Sequence, residues 1–176
     1  MRKSYNSYDL ISSEFGIGFT KKGDTFFFDK EDYQKIKDIC WYKDTKTGYI
    51  RGHIPNCGGR TSLHRIVMNA VKGETIDHIN HKLEDNRKSN LRKCSRSQNS
   101  ANSVTRKDNN SGYPGVSYSR SKKKWFAQIC VNGERINLGY FDTKNGAILA
   151  RDEASEKYFK EFTYQNSLKQ SERIGE

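Results

Sequence analysis

The residues best suited to catalysis lie within one stretch, "TIDHINHKLEDNRKSNLRKCSRSQN", which runs from Thr75 to Asn99. Asp77 and His78 are adjacent there, and asparagines follow at Asn90 and Asn99. Hydrolysis of a phosphodiester requires a metal ion, oxygen ligands that hold the ion and a base that activates water. A carboxylate beside a histidine, facing an amide from a helix, can supply the ligands and the base. The stretch therefore has the composition of a metal-dependent hydrolytic site.

A purely structural interpretation of the same residues is also open. Aspartate and asparagine are common in turns because their side chains bond to nearby backbone amides, and we favour this role for Asn86. Neighbouring strand residues point to opposite faces, so Asp77 and His78 can share a site only at a twist or at the strand end. His81 falls in the loop, and we expect it not to contact a metal.

The elements that position these side chains follow from the pattern. "ETIDHI" is β-branched and predicts a strand, and "LRKC" predicts its return strand after a loop rich in turn residues. "SRSQ" is a capping box with Ser95 at the N-cap and Gln98 at the third helical position. This predicts Asn99 in the first turn of a helix, with Asn102 on nearly the same face as the alternative ligand.

The chain before this stretch predicts two kinds of structure. Residues up to Gly59 alternate aromatic and polar side chains, which indicates a β-rich scaffold with strands near 15–19, 25–28 and 49–54. A first helix is expected over "DKEDYQKIKDICW", capped by Asp29, and a second over "TSLHRIVMNAV". The apolar faces of these helices comprise Tyr33, Ile36, Ile39 and Cys40 in the first, and Leu63, Ile66, Val67 and Ala70 in the second. His64 lies beside the second face, and we expect it to be structural or to face DNA.

The chain after the stretch predicts a separate module. "TRKDNNSGYPG" is rich in turn residues and reads as a linker. "GVSYSR", "KWFAQICV" and "RINLGYF" predict three strands, with "VNGE" as a hairpin turn. A helix follows, capped by Asp142 or Thr143. Its apolar face is expected to comprise Ala147, Ala150, Ala154 and Tyr158.

Charge is concentrated in the middle of the chain. The 176 residues carry a formal charge of +11, and the segment from Arg87 to Arg135 holds twelve Lys or Arg against Asp108 and Glu134, a net charge of +10. Such a block favours a polyanionic partner, because binding to nucleic acid releases counterions. Charges that only keep a surface solvated would be expected to be spread evenly along the chain.

Other features exclude several classes of protein. The four cysteines, Cys40, Cys57, Cys94 and Cys130, form no C-x-x-C pair, so a zinc knuckle is not expected. The first residues lack the apolar region of a signal peptide, and no apolar run is long enough to span a membrane. We expect an intracellular, cytoplasmic protein with no membrane partner, no small-molecule substrate, and a monomeric state with a dimer left open.

The stretch resembles a known family. "LHR", "DHIN", "DNRKSNL" and "SQN" follow in this order between Leu63 and Asn102, as in HNH endonucleases of the homing type with the ββα-metal fold. The resemblance implies that Asp77 is a metal ligand, His78 the general base, Asn90 a brace of the hairpin and Asn99 a second metal ligand. It also implies Mg²⁺, with Mn²⁺ as a substitute, and products with a 5′-phosphate and a 3′-hydroxyl.

One departure from the family concerns zinc. In the members of the family that bind zinc, pairs of cysteines flank the motif, and this sequence has no such pairs. We therefore expect the hairpin to be held by packing from the first segment or by apolar neighbours such as Ile76 and Leu91.

The third segment resembles an AP2 (ethylene-response-factor type, AP2/ERF) DNA-binding domain. "GV", "W-x-A-x-I" and "LGYFDT", followed by an alanine-bearing helix, carry the likeness from Ser111 to about Asn166. The resemblance implies a three-stranded antiparallel sheet that lies in the major groove with the helix behind it. Strand alternation assigns one face to the helix: Val116, Tyr118, Trp125, Ala127, Ile129, Ile136 and Leu138. The other face comprises Ser117, Ser119, Phe126, Gln128, Cys130, Arg135 and Asn137.

The predicted contacts to DNA come from that outer face and from the basic turns. Arg135 matches a base-contacting arginine of plant AP2 domains, but the other outer residues differ, so the plant target sequence does not carry over. Phosphate contacts are expected from the first hairpin turn. The DNA-binding residues are Arg106, Lys107, Ser117, Ser119, Arg120, Lys122, Lys123, Lys124, Gln128, Arg135 and Asn137.

Together these predictions describe an α+β chain with five parts: a scaffold over 1–59, an HNH nuclease core over 60–105, a basic linker over 106–112, an AP2-like domain over 113–166 and a tail over 167–176. The expected activity is metal-dependent hydrolysis of double-stranded DNA, in a phage or mobile-element setting, hence in the bacterial cytoplasm if phage-encoded. The rivals are a DNA-binding regulator with a weak or dead nuclease centre and an RNA-binding protein.

Overall fold

The computed structural model describes residues 6–54, 59–102, 109 and 111–163. Over these ranges the chain is α+β, with small antiparallel sheets and four α-helices. It forms two compact units, of which the first holds the described residues up to Lys93 and the second those from Cys94 onward.

The first unit begins with a three-stranded antiparallel sheet. Strands β1 (Ser7–Asp9), β2 (Gly16–Phe19) and β3 (Thr25–Phe28) pair in chain order. The turn between β2 and β3 contains Gly23 at φ 87°, a conformation that glycine adopts without strain. The two predicted strands of this hairpin are confirmed, and β1 was not predicted.

The first predicted helix is wrong over most of its length. A 3-10 turn at Lys30–Asp32 leads into α1 (Tyr33–Ile36), and the chain then enters strand β4 (Cys40–Lys43). Burial of Trp41 explains the change, because its side chain is 1% exposed and its Nε1 donates to the Ile36 carbonyl at 2.9 Å. The extended backbone of β4 places the Trp41 side chain in the core and allows its indole N–H to form this hydrogen bond.

Asp29 does not cap that helix either. Its side chain makes no cap hydrogen bond; Oδ2 instead accepts from the backbone N–H of Lys88 at 2.7 Å. The residue therefore ties the scaffold to the later loop.

A second small sheet and a short helix complete the scaffold. Strand β4 pairs with β5 (Ile50–His53), which pairs with β6 (Arg60–Ser62). Helix α2 (Leu63–Val67) follows directly and is shorter than predicted. Its predicted apolar face is confirmed, because Leu63 and Val67 are fully buried and the other two residues of the face pack partly buried against them.

One hydrophobic core joins these elements to a two-stranded sheet. Strands β7 (Thr75–His78) and β8 (Leu91–Cys94) form this sheet, as predicted. Ile76 and Leu91 extend from it into the core, which confirms the packing expected of them. The buried residues of the core are Phe26, Phe28, Ile36, Ile39, Trp41, Ile50, Leu63, Val67, Ile76 and Leu91.

The second unit contains a longer antiparallel sheet. Helix α3 (Arg96–Ala101) precedes strands β9 (Val116–Ser119), β10 (Lys124–Val131) and β11 (Glu134–Phe141), which pair in the order β11-β10-β9. The β10–β11 turn holds Asn132 and Gly133 at positive φ, as tight hairpins require. The three predicted strands and the hairpin turn between the second and third are confirmed.

Helix α4 (Lys144–Phe159) packs on this sheet. Of the two candidate caps, Thr143 is the one used, and its Oγ1 accepts from the N–H of Gly146. Ala147 and Ala154 are buried as predicted, but Tyr158 is 40% exposed and Phe159 is buried in its place. The predicted apolar face is therefore displaced by one residue at the C-terminal end of α4, where Phe159 and not Tyr158 packs on the sheet.

The unit boundary falls earlier than the predicted linker at 106–112. Helix α3 belongs to the second unit. Its Ser97 Oγ donates to the Cys130 carbonyl at 3.4 Å and accepts from the Asn132 N–H at 3.0 Å, and Ala101 packs beside Ile129. These contacts fasten α3 to β10.

Among the described residues, no helix has the length and apolar composition needed to cross a membrane.

Candidate functional site

Asp77 and His78 occupy the last two positions of β7, and both are buried. Arg92 of β8 donates to Asp77 Oδ2 from Nε at 3.0 Å and from Nη2 at 2.9 Å. The Asp77 carboxylate is thus paired with the guanidinium of Arg92. Arg92 was not predicted from the sequence, although its place on the return strand, two residues after Asn90, was a usable signal.

His78 lies in a cluster of three rings. Its ring centroid is 5.1 Å from that of His64, which stands edge-on to it, and 5.9 Å from that of Tyr49. Tyr49 and His64 are themselves 5.0 Å apart. Of the two roles predicted for His64, the structural one matches this buried position. Its ring packs against the imidazole of His78 and restricts that imidazole to one orientation.

Burial controls the charge of both histidines. It lowers the pKa of His78 below the ordinary 6.5, against opposing contributions from the Asn86 side chain and the Asp77 and Asp85 carboxylates. For His64, burial, with the nearby His78 and arginines, lowers the pKa to about 3. Both rings are therefore neutral at physiological pH, and a neutral imidazole can accept a proton.

The Asp77 charge also acts on Tyr49 and His81. Burial and then Asp77 raise the pKa of the Tyr49 hydroxyl. Burial lowers the pKa of His81 while Asp77 raises it. His81 has the left-handed φ of 60°, and its N–H donates to the His78 carbonyl at 3.2 Å. The loop therefore turns back so that His81 falls within the electrostatic reach of Asp77.

Asn90 is fully buried and bonds to the backbone on both sides of the loop. Its Oδ1 accepts from the Asn80 N–H at 2.9 Å, and its Nδ2 donates to the Asp85 carbonyl at 2.8 Å. The Asn90 carbonyl accepts from the N–H of Ile79 at 2.9 Å. These bonds are of the bracing kind that the family resemblance implies for this residue.

A buried ion pair fixes the far end of the loop. Arg87 donates from Nε and Nη2 to the two oxygens of Asp85, each at 2.8 Å, and Asn80 Nδ2 adds a third bond at 3.0 Å. Burial raises the pKa of Asp85, but these donors outweigh it and hold the pKa below its ordinary value. The carboxylate is thus engaged in structure. This role was not predicted from the sequence.

The loop is also tied to β3 through its backbone. Phe27 donates its N–H to the Glu84 carbonyl and accepts the Asn86 N–H, each at 2.9 Å. The Asn86 side chain donates to the Glu84 carbonyl at 2.9 Å, which fits the turn role favoured for it. The scaffold therefore fixes the loop from which the buried site is built.

The donors available here fit a hard cation. Among the described residues, no group of three or more His, Cys, Asp or Glu is placed to hold a metal. Mg²⁺ does not require such a cage, because it commonly binds one or two carboxylates and takes its other ligands from water and substrate phosphates. The Asp77 carboxylate, which shares the end of β7 with a neutral histidine, suits that type of site.

Asn99 belongs to α3 in the second unit. The predicted capping box is present, with Ser95 Oγ accepting from the Gln98 N–H at 3.1 Å and Gln98 Oε1 accepting from the Ser95 N–H at 2.7 Å. Asn99 is partly exposed, whereas Asn102 is 1% exposed at the end of the helix. The role of Asn99 as a ligand, with Asn102 as the alternative, stays a prediction.

The outer face of the second unit's sheet presents most of the predicted DNA contacts. Ser117, Arg135 and Asn137 are exposed, and Ser119 and Gln128 are partly so. The first hairpin turn exposes Arg120, Lys122, Lys123 and Lys124. Arg106 and Lys107 lie outside the described residues.

Two of those residues are already engaged. Lys124 pairs with Asp142 at 3.0 Å. Asn137 Oδ1 accepts from the Gly139 N–H at 2.8 Å, beside a register shift where Ala127 pairs with Gly139 and Gln128 with Asn137. The shift leaves Leu138 as an extra residue, a bulge that strand alternation does not anticipate.

One aromatic side chain on the sheet differs from the prediction, and another was not assigned to a face. Tyr118, expected against the helix, is 50% exposed and contacts Trp125 at its edge. On the outer face, Tyr140 pairs with Phe126 at a centroid distance of 5.0 Å, and Lys122 Nζ lies 3.9 Å from the Tyr140 centroid. The outer face thus carries an aromatic pair as well as positive charge.

Comparisons of the chain with protein-family models, with curated proteins and with solved structures give no match.

Proposed function

We propose that the protein is a metal-dependent DNA endonuclease of the HNH type. The observation that carries the proposal is the end of β7, where the Asp77 carboxylate and a buried, neutral His78 occupy adjacent positions. Adjacent strand residues serve one reaction centre only at a strand end, and this pair lies there. The family resemblance supplies the reaction, which is hydrolysis of a phosphodiester bond.

In this proposal His78 accepts the proton of the attacking water. Its lowered pKa keeps the acceptor nitrogen unprotonated at neutral pH, and the contacts with His64 and Tyr49 hold the ring in one orientation. Orientation and protonation state are the two properties that a general base needs, and such a base contributes about 10² to 10⁴ in rate.

Asp77 supplies the carboxylate oxygen for Mg²⁺ or Mn²⁺. A ligand role for Asn99, which belongs to the second unit, is what the resemblance implies. When bound, the ion supplies charge neutralisation at the scissile phosphate. Arg92 orients Asp77 through its two bonds to Oδ2 and adds a positive charge beside the substrate phosphate.

The second unit is proposed to bind the DNA. Its exposed outer face and basic first turn match the chemistry of a duplex, with Arg135 for base edges and Lys122 and Lys123 for phosphates. With one centre per chain, each binding event nicks one strand.

A supercoiled-plasmid nicking assay tests the activity. Wild type is compared with His78→Ala, each with Mg²⁺ and with EDTA. We expect Mg²⁺-dependent nicking that falls at least about 100-fold in the variant and persists in wild type somewhat below pH 6.5, because the pKa of His78 is lowered. His53→Ala is the matched control, since that imidazole is exposed on β5.

Two results contradict the proposal. Equal nicking by wild type and His78→Ala removes the role of His78. No Mg²⁺-dependent nicking of a DNA that the protein binds leaves a non-cleaving DNA-binding regulator as the function.

The aromatic pair favours a second candidate, binding of single-stranded nucleic acid or RNA. Unpaired bases stack on exposed aromatic rings at about 1 to 3 kcal/mol per base, and Tyr140 with Phe126 offers such a surface. Tyr140→Ala should weaken binding to a single-stranded oligonucleotide more than to a duplex of the same length. Equal effects on both exclude this candidate.

A further inference from the structure

Arg151 of α4 is a partly buried cation whose charge the nearby Asp152 carboxylate favours without forming an ion pair with it. Its Nε is buried, and the guanidinium forms no hydrogen bond or ion pair with the residues that the structure describes. The adjacent carboxylate of Asp152 instead accepts from the Tyr113 hydroxyl. Desolvation lowers the pKa of Arg151 accordingly. A partly desolvated cation without a bonded anion is an unfavourable arrangement, which a bound anion would relieve.

Arg151 lines a cavity of about 270 Å³ that is open to solvent at the surface of the second unit. Polar groups on its walls come from α3 and β10, including the hydroxyls of Ser97 and Ser100 and the amide of Gln128, and Arg135 supplies a second guanidinium. Within the described part of the chain, no carboxylate lines the cavity. The cavity is therefore positive, with hydroxyl and amide donors around it.

Gly115 lies on the wall of the cavity beside Arg151. At φ 73° it bonds through its carbonyl to the Gln128 N–H at 2.8 Å. A Cβ at this position would lie 2.2 Å from the Gln128 carbonyl and 3.1 Å from Arg151 Nε. Only a residue without a side chain lets the guanidinium pass this close beneath the strand edge.

We infer that this cavity binds a phosphate group, and that in the nucleic-acid complex the group is one phosphodiester of the backbone. The Arg151 guanidinium matches phosphate geometry through paired N–H donors, and the Ser100 hydroxyl adds a donor to one of the remaining oxygens. The identity of the occupant as a backbone phosphate rests on the proposed binding of DNA. A free phosphate or nucleotide shares the same chemistry.

The salt dependence of DNA binding by the full chain tests the inference. Each phosphate contact contributes about 0.9 to the slope of log K against log salt. We expect Arg151→Gln to reduce the slope by about that amount. Lys157→Gln removes the same charge from an exposed position of the same helix and should leave the slope close to wild type.

A second variant guards against misfolding of Arg151→Gln. Ser100 is exposed at the rim of the cavity, so Ser100→Glu should fold normally and place a carboxylate where the phosphate binds. It should reduce the slope at least as much. A wild-type slope in both variants overturns the backbone phosphate as occupant.

Thermal unfolding in sodium phosphate and in sodium chloride, at equal ionic strength, separates the sources of the anion. Stabilisation by phosphate in wild type, absent in Arg151→Gln, with unchanged DNA slopes, assigns the cavity to a free phosphate and overturns the backbone assignment. If wild type binds no DNA, the proposed function fails, but phosphate-specific stabilisation lost in Arg151→Gln still supports the cavity. Without that stabilisation the cavity assignment fails as well.

Discussion

Polar side chains are buried in the hairpin site of the first unit, whereas they are exposed on the outer sheet face of the second. Around Asp77 and Asn90, the polar groups are buried and bonded to one another or to backbone. On the outer face, Arg135 and the basic first turn project into solvent. Buried bonded groups suit fixed chemistry, whereas exposed cations suit a ligand that brings its own charges.

This difference predicts where substitutions take effect. A change in the hairpin removes bonds that hold the fold, so stability and activity fall together. A change on the outer face removes charge that the fold does not use, so binding weakens and stability does not. Any residue that breaks this division is informative, and Arg151, which is partly buried and unbonded among the described residues, is such a case.

The largest effect on stability is expected for Asn90→Ala. The substitution leaves the Asn80 N–H and the Asp85 carbonyl without their buried partner, at about 1 to 3 kcal/mol for each group. We expect urea unfolding to show that the free energy of unfolding falls by about 2 to 6 kcal/mol. Asn145→Ala, at an exposed position of α4, should change the free energy of unfolding by less than about 0.5 kcal/mol. If the free energy of unfolding fell by a similar amount in both variants, buried and exposed polar side chains would not differ in their contribution to stability.

A smaller effect concerns pH and the buried histidines. The folded pKa of His64, about 3, lies below the ordinary value of 6.5, so the unfolded state binds more protons between these values. Stability therefore falls as pH decreases through this window, at most by about 1.4 kcal/mol per pH unit. His64→Phe should flatten the dependence, leaving the part that His78 contributes in the same direction.

Chemical unfolding at several pH values from about 4, within that window, to about 7, just above it, measures this dependence. His53→Phe, on an exposed imidazole, should retain the wild-type dependence. An unchanged dependence in His64→Phe would show that His64 is not neutral in the folded state.

The smallest change in stability is expected in the basic turn. Lys122→Gln with Lys123→Gln should leave the free energy of unfolding within about 0.5 kcal/mol and lower the salt slope of DNA binding by about 0.9 for each phosphate that is no longer neutralised. Lys124→Gln should lower the slope less, because Lys124 already pairs with Asp142. Equal slopes for Lys123→Gln and Lys124→Gln would show that this ion pair does not compete with phosphate.

Sequence patterns predicted elements whose causes are local. The β2–β3 hairpin follows from its turn residues, the start of α3 from its capping box, and the β10–β11 hairpin from Asn132 and Gly133. The same reasoning extended α1 into β4, because the burial of Trp41 depends on a core that local periodicity does not contain. The bulge at Leu138 and the contacts of α3 with β10 are tertiary in the same sense.

The candidate site divides along the same line. Asp77 and His78 were predicted from residue types and spacing. The rings beside His78 and the arginine that holds Asp77 come from segments whose meeting is decided by packing. Motif spacing identifies groups with reactive chemistry, whereas the neighbours that set their charge and orientation appear only once the chain is folded.

The short strand β9 has a consequence for solubility. It pairs with β10 only as far as Ala127, so the rest of β10 would present an open edge to which another chain could add a strand. Ser97 closes that edge by bonding to the Cys130 carbonyl and the Asn132 N–H. A fragment that starts after α3 would lose this cover, and we expect it to aggregate where a fragment that starts at Cys94 stays dispersed.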